Sequence, residues 1–356
     1  MKESKKFERM LEDHKKPLYP DCKEGHKKLG STLEMLQWKA RNRISDTTFD
    51  ELLLIVKDML PEGNEFPASM YEAKRVVCPL GLEVQKIHAC PNDCILYRGN
   101  EYEKLEACPV CEAQRYKIPR DDPYDVEGEK KKKKKIPAKV VWYFPVIPRL
   151  KRLFRCKANA KLMRWHKEER KQDEKIRHPA DGSQWRLIDR EFPGFEKDTR
   201  NIRFGLSTDG FNPFGEFSSD HSTWPVTLCM FNLPPWICMK RKFIMMPIII
   251  QGPKQPGNDI DVYLRPLIDE LKMLWKEEGV PVWDEDKKET FDLRALVFVT
   301  INEWPALGNL SGQTTKGFRA CTYCLDDTCS MYLKHSKNVV YLGRVLVNLY
   351  FLWSKI

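Results

Sequence analysis

No stretch of this 356-residue chain offers the roughly 18 or more uninterrupted apolar residues that a membrane-crossing helix needs. The opening residues Met1-Lys2-Glu3-Ser4-Lys5-Lys6 lack the apolar core of a secretory signal. The chain is therefore expected to be intracellular, with no membrane partner. Carboxylates are also in deficit: 51 Asp and Glu face 61 Lys and Arg, leaving a net charge of +10. That surplus suits a polyanionic partner and equally suits a merely basic soluble protein. The chain is not poor in core formers. With 42% hydrophobic residues and 10 Trp it can bury a real core, and its length suggests two or three domains.

Twelve cysteines in an intracellular chain of this length read as metal ligands or buried thiols rather than disulfides. Cys90-x3-Cys94, then thirteen residues, then Cys108-x2-Cys111 has the two-pair layout of a structural Zn²⁺ site. Four buried or reactive thiols would share that spacing, and Cys78 or His88 could replace one of the four ligands. Cys321-x2-Cys324, followed by Cys329 and His335, forms a second Zn²⁺ candidate with only its first pair tightly spaced. Cys22, Cys156, Cys229 and Cys238 show no ligand spacing and are expected to be core or surface thiols.

Hydrophobic periodicity predicts a helix from Asp46, as cap, to Leu60, with Phe49, Leu52, Leu53, Val56 and Leu60 on one stripe. Asp121, Asp122, Asp125, Glu127 and Glu129 run into Lys130, Lys131, Lys132, Lys133, Lys134 and Lys135, a polar stretch with nothing to bury. A linker is expected there. The lysine run could serve nuclear import, contact DNA phosphates, or simply be solvated. From Lys151 to Arg177 the density of Arg and Lys, with Leu153, Phe154, Leu162 and Trp165 interleaved, predicts a basic amphipathic helix. Its Arg152 and Arg155 could track a phosphate backbone, or the helix could be solvated on one side and packed on the other.

After Asn201 the pattern changes. Ile202, Phe204 and Leu206 alternate as a strand ending at Ser207-Thr208-Asp209-Gly210, and Pro225–Leu233 forms a second strand. A third, Phe243–Ile250, carries Pro247 and is expected at a sheet edge, because proline cannot donate to the ladder. Tyr263–Glu278 has helical spacing, and Ala295–Ile301 reads as a central strand buried on both faces, ending at Asn302-Glu303. This order is that of a ribonuclease-H-like core, whose first and fourth strands lie parallel and adjacent. Asp209 and Glu303 then converge at neighbouring strand tips. Converging carboxylates are hard ligands for Mg²⁺ or Mn²⁺, two of which, roughly 3.5–4 Å apart, can clamp the oxygens of a phosphoryl transfer.

Several ordered motifs resemble one family, the plant CACTA-type (En/Spm-like) transposases. They are KPLYPDC at Lys16–Cys22, KIHACPNDCILYRG at Lys86–Gly99, ACPVC at Ala107–Cys111, LSTDGFNPFG at Leu206–Gly215 and TINEWPALGNLSGQTTKGFRACTYC at Thr300–Cys324. The resemblance runs from about Phe7 to Tyr341. It implies an acidic-triad enzyme that cuts element ends and joins the freed 3′ ends into a target. Its partner would be double-stranded DNA at transposon ends, with a homo-oligomer or partner transposase subunit allowed, in the nucleus. Asp209 corresponds to the family's first acid. The second is usually Asp in the motif that here reads Asn302-Glu303-Trp304-Pro305. The extra methylene shifts that carboxylate by roughly one bond length, enough to disturb a tightly placed site. The third acid would lie beyond Ile356, and after Tyr341 the sequence GRVLVNLYFLWSKI leaves the family pattern. The implied protein is a cut-and-paste DNA transposase or its truncated remnant, catalytically crippled as it stands; the alternative is a nuclear zinc- and DNA-binding derivative without catalysis.

The expected fold class is mixed α+β, a small helical and zinc-binding N-terminal region followed by an incomplete ribonuclease-H-like α/β core. The expected segments are a helical region 1–77, a zinc module 78–120, a charged linker 121–139, a basic segment 140–200, the core 201–341 and an aberrant tail 342–356.

Overall fold

Local capping and periodicity build the N-terminal elements. Lys28–Asn42 (α1) ends where Arg43 turns left-handed at φ 54°. Asp46–Met59 (α2) is capped by Ser45, whose side chain accepts the Thr48 N–H. The cap is thus Ser45, and Asp46 is the first-turn residue that favours the positive helix end. Phe49 and Leu53 on the inner stripe of α2 pack with Leu18 and Phe66, while Leu54 and Ile55 face water. Met70–Val77 (α3) follows. A computed structural model describes residues 8, 11–23, 25–77, 83–117, 135–173, 175–213, 221–315, 317–321 and 324–341. The chain divides into two compact units, Met1–Glu83 and Val84–Ile356.

The second unit is organised by one mixed sheet. Its strands are Gln85–Ala89 (β1), Lys139–Tyr143 (β2), Ile202–Thr208 (β3), Trp224–Met230 (β4), Met245–Ile250 (β5) and Ala295–Thr300 (β8), in the order β1-β2-β5-β4-β3-β8. All neighbours are antiparallel except β3 and β8, which run parallel. Val280–Asp284 (β6) and Glu289–Leu293 (β7) form a separate hairpin between the long helix Ile260–Trp275 (α8) and β8. Ser330–Leu333 (β9) and Asn338–Tyr341 (β10) form another. The main core gathers Phe204, Leu228, Ile248, Tyr263, Leu267 and Leu274 between sheet and α8.

The structure departs from three expectations. β5 lies between β2 and β4, so it is not an edge strand. Pro247 is accommodated because its carbonyl accepts the Phe144 N–H just as β2 ends, while the register with β4 slips between Val226 and Leu228. The missing donor falls where the ladder is ending on one side and irregular on the other. β8 is the outer strand of the sheet among the described residues, not a central one. Its unbroken apolar run reflects two covered faces instead: Val297 packs into the main core, and Phe298 packs against Trp185 and Phe231 on the other side. The basic stretch is not one helix. It breaks into Val146–Phe154 (α4), Lys157–Leu162 (α5) and Trp165–Glu168 (α6), followed by Ser183–Glu191 (α7). Arg164 turns inward to Asp284 at 3.2 Å and Asp286 at 2.5 Å, and Arg200 joins Asp284 at 3.3 Å. A buried charge of this kind needs partners on the β6–β7 hairpin, which a straight solvated helix could not supply. β1 and β2, from the zinc-module and linker–basic stretches, lie in the same sheet as β3.

Lys130, Lys131, Lys132, Lys133 and Lys134, Cys78 and the tail 342–356 lie outside the described residues.

Candidate functional site

The two acids of the expected pair follow directly from neighbouring strand tips. β3 and β8 pair in parallel up to Leu206 opposite Thr300, and the Ile301 N–H then donates to the Leu206 carbonyl at 2.8 Å. One residue further, the Thr208 N–H donates to Asn302 Oδ1 at 3.0 Å. Asp209 directly follows Thr208 and Glu303 directly follows Asn302, and both are exposed. Asp209 Oδ1 accepts the Gly210 N–H at 2.7 Å. A side chain at Gly210 would meet Ser222 and Trp224 at 2.6 Å, so only glycine fits where the chain passes close to the start of β4, with Phe211 then bridging Thr223. Glu303 is the N-cap residue of Trp304–Ser311 (α9), yet its side chain makes no capping bond, so the helix does not consume the carboxylate. Asn302 is the residue that sequence reasoning passed over. Its amide side chain closes the strand pair where the backbone ladder runs out, a role that an Asn directly after a strand is chemically suited to fill.

The first cysteine set closes. The Sγ atoms of Cys90, Cys94, Cys108 and Cys111 all lie within 4.8 Å of one another, and Cys90 and Cys111 approach to 3.4 Å. Metal–sulfur bonds of about 2.3 Å at tetrahedral angles need sulfurs at about this separation, so the donor set fits a four-thiolate metal site. Two tight turns make it possible: Asp93 and Glu112 adopt φ of 65° and 59°, and the Cys90 and Cys108 amides donate to Ile95 and Ala113. The Asn92 backbone and side-chain N–H groups point at Cys90 and Cys111 sulfur, each at 3.4 Å. Hydrogen bonding from Ala113 and then Asn92 lowers the Cys111 thiol to about 6. Burial and neighbouring thiols raise Cys94, and burial raises Cys90.

His88 does not belong to this set. Its Nδ1 accepts from Arg115 Nε at 2.9 Å, and burial and that guanidinium lower its pKa. Asp93, between the first two cysteines, joins the module to the sheet and α8 by accepting from Lys139 and from the Tyr263 hydroxyl. Arg98 adds a 2.7 Å bond to Asp269.

The second cysteine set is looser. Cys321 hydrogen-bonds to Cys324, raising its pKa, and Cys329 is near enough to act on it electrostatically. With His335 these residues do not form a group as close as the first among the described residues. Of the isolated thiols, Cys229 and Cys238 are buried, Cys22 is half-buried and Cys156 is exposed. Among the basic candidates, Arg152 and Arg155 are exposed at the end of α4. Lys135 is engaged with Glu106 and lies 5.2 Å from the Tyr116 ring centre.

Residues 173–348 match the model of the transposase family tnp2. The match supports a transposase family. It spans both acids and the second cysteine set, whereas the Cys90–Cys111 module precedes it. No curated protein matches the chain. No helix among the described residues is long and apolar enough to cross a membrane.

Proposed function

We propose that the chain is a DNA transposase of ribonuclease-H-like architecture and plant CACTA type, whose Asp209 and Glu303 share divalent ions. The order β5-β4-β3-β8, with only β3 and β8 parallel, supports the architecture. The observation that carries the site is the Thr208 N–H to Asn302 Oδ1 bond at 3.0 Å, because it joins the strand tips one residue before each acid. Two exposed carboxylates are hard oxygen donors suited to Mg²⁺ or Mn²⁺. Such ions, when bound, supply Lewis-acid activation of water or a 3′ hydroxyl and neutralise the phosphate. Asp209 and Glu303 hold them, Asn302 positions the tips, and Gly210 lets the chain pass close to Ser222 and Trp224 just after the first acid. Cys90, Cys94, Cys108 and Cys111 hold a structural Zn²⁺. Nuclear residence follows from this reading, with Lys130–Lys135 as import signal or phosphate arm.

The test is Mg²⁺- or Mn²⁺-dependent nicking of duplex DNA by the purified chain. Asp209→Ala should abolish it, and Glu303→Asp, which restores the acid usual in the resembling family, should increase it. Nicking that survives Asp209→Ala sinks the catalytic assignment. A second reading, a protein that holds DNA without cutting it, is favoured by one observation: Glu303 stands where the resembling family usually carries Asp. Salt-dependent DNA retention without nicking would select it.

A further inference from the structure

The end of the sheet opposite the acids carries a cationic surface that the proposed chemistry does not use. β4 runs antiparallel to β3, so the chain leaves Met230 beside Phe204 and reaches β5 through the loop 231–244 at the far end. A seven-residue strand places that loop about 20 Å from Asp209. Within it, Lys240, Arg241 and Lys242 are consecutive and exposed. The turn is ordered by its own backbone: the Lys240 N–H donates to Ile237, and the Phe243 and Ile244 N–H groups donate to Lys240. β2 also ends on this side and delivers α4, whose Arg149 donates from Nη2 to the Ile244 carbonyl at 3.1 Å. That bond fixes α4 against the Lys-Arg-Lys turn. Burial and the charge of Arg152, three residues on, lower the Arg149 pKa. Among the described residues, no carboxylate lies within 4 Å of Arg149, Lys240, Arg241 or Lys242. Beside the turn Trp236 is 62% exposed, with its ring held 5.4 Å from that of Trp165.

Several inward-turned arginines of this unit are handled differently. Arg164, Arg170, Arg200 and Arg203 are each neutralised by an aspartate. Three exposed cations in a row, with a fourth beside them, raise the local positive potential and attract a polyanion. A row of three adjacent charges on an ordered turn, with a further arginine beside it, fits regularly spaced phosphates rather than one small ion.

We propose that Arg149, Lys240, Arg241 and Lys242 form a second DNA surface, which grips the phosphate backbone of a duplex segment other than the one at the acidic tips. The surface reads no bases, and its contribution is affinity and orientation. The inference rests on the reading of the chain as a DNA-handling protein, but not on its acids being catalytic.

The experiment compares the full chain with the triple variant Lys240→Gln/Arg241→Gln/Lys242→Gln, by fluorescence anisotropy with a duplex of about 30 bp across about 50 to 200 mM KCl. The three side chains are exposed, so unchanged thermal melting is expected. Losing three phosphate contacts should reduce the slope of log affinity against log salt by about 2.7, with affinity at the lowest salt falling at least about tenfold. Should the triple variant fail to fold, Arg241→Gln alone should reduce the slope by about 0.9. An unchanged slope overturns the proposal. So does a variant that loses binding to polyglutamate or to phosphatidylserine vesicles while its DNA slope is retained. Asp209→Ala must leave the metal-free DNA slope intact. Failure of the catalytic reading would show separately, as nicking insensitive to Asp209→Ala.

Discussion

Two cysteine-rich regions of this chain each contain a Cys-x2-Cys pair and reach different ends. Cys90, Cys94, Cys108 and Cys111 close to within 4.8 Å, two of them buried, on turns that lean on the sheet. Cys321, Cys324, Cys329 and His335 stand beside the β9–β10 hairpin, where β9 is largely exposed. A Cys-x2-Cys pair therefore supplies only half a site. The other half depends on whether the fold returns a second pair to the same place. In the first region it does, because both turns are hydrogen-bonded and Asp93 holds the module to Lys139 and Tyr263.

The largest effect expected from breaking this contrast is Cys108→Ser. Bound zinc, measured by atomic emission, should fall by about one ion per chain, and cooperative melting of Val84–Tyr341 should be lost, since structural zinc contributes on the order of 10 kcal/mol to small modules. The matching change Cys324→Ser should leave that melting transition in place. Zinc loss and melting loss of equal size in both variants would show that the two regions are alike.

Asp93→Ala comes next. It leaves the sulfurs untouched and strips Lys139 and the buried Tyr263 hydroxyl of their shared acceptor, so denaturant melts should show a loss of about 3 kcal/mol with zinc retained. A loss below about 1 kcal/mol would mean that the module is not held to the sheet by this contact.

Proton linkage sharpens the comparison further. Cys90 and Cys94 are raised above the ordinary thiol value of 9.0, so the stability they lend the metal-free chain is present below that value and lost as pH rises through the folded values. Cys111 is lowered to about 6, so its contribution is present above 9.0 and lost as pH falls through about 6. Above pH 9.0 the metal-free chain should therefore lose melting temperature through Cys90 and Cys94, while the zinc-loaded chain, which needs thiolates, should not. Parallel pH profiles with and without chelator would contradict the four-thiolate assignment. The smallest expected effect is that of Cys324→Ser on stability, within about 0.5 kcal/mol, as for most positions outside a packed core.

Much of the second unit was legible because its faces are periodic. The alternation of Ile202, Phe204 and Leu206 marks β3, and the spacing of Leu264, Leu267, Leu271 and Leu274 marks α8. β1 and β2 were not legible. They are five residues each, and Lys139 and Val140 stand at the end of a charged stretch, so their strand character comes from pairing with partners far along the chain. The inward turn of Arg164 was hidden for the same reason, since its aspartates lie about 120 residues away.

The chain's own order of residues determined that 202–208 is a strand and 260–275 a helix, which cysteines come in pairs, and which acids follow strands, because each is written in neighbours within a turn or two. Only the tertiary structure decided that β5 is internal and β8 outermost, that Asn302 closes the strand tips beneath Asp209 and Glu303, and that Arg149 stands beside Lys240–Lys242. Strand neighbours are chosen through backbone hydrogen bonds, which nearly every residue can make, so side-chain pattern records what a face buries but not which strand lies beside it.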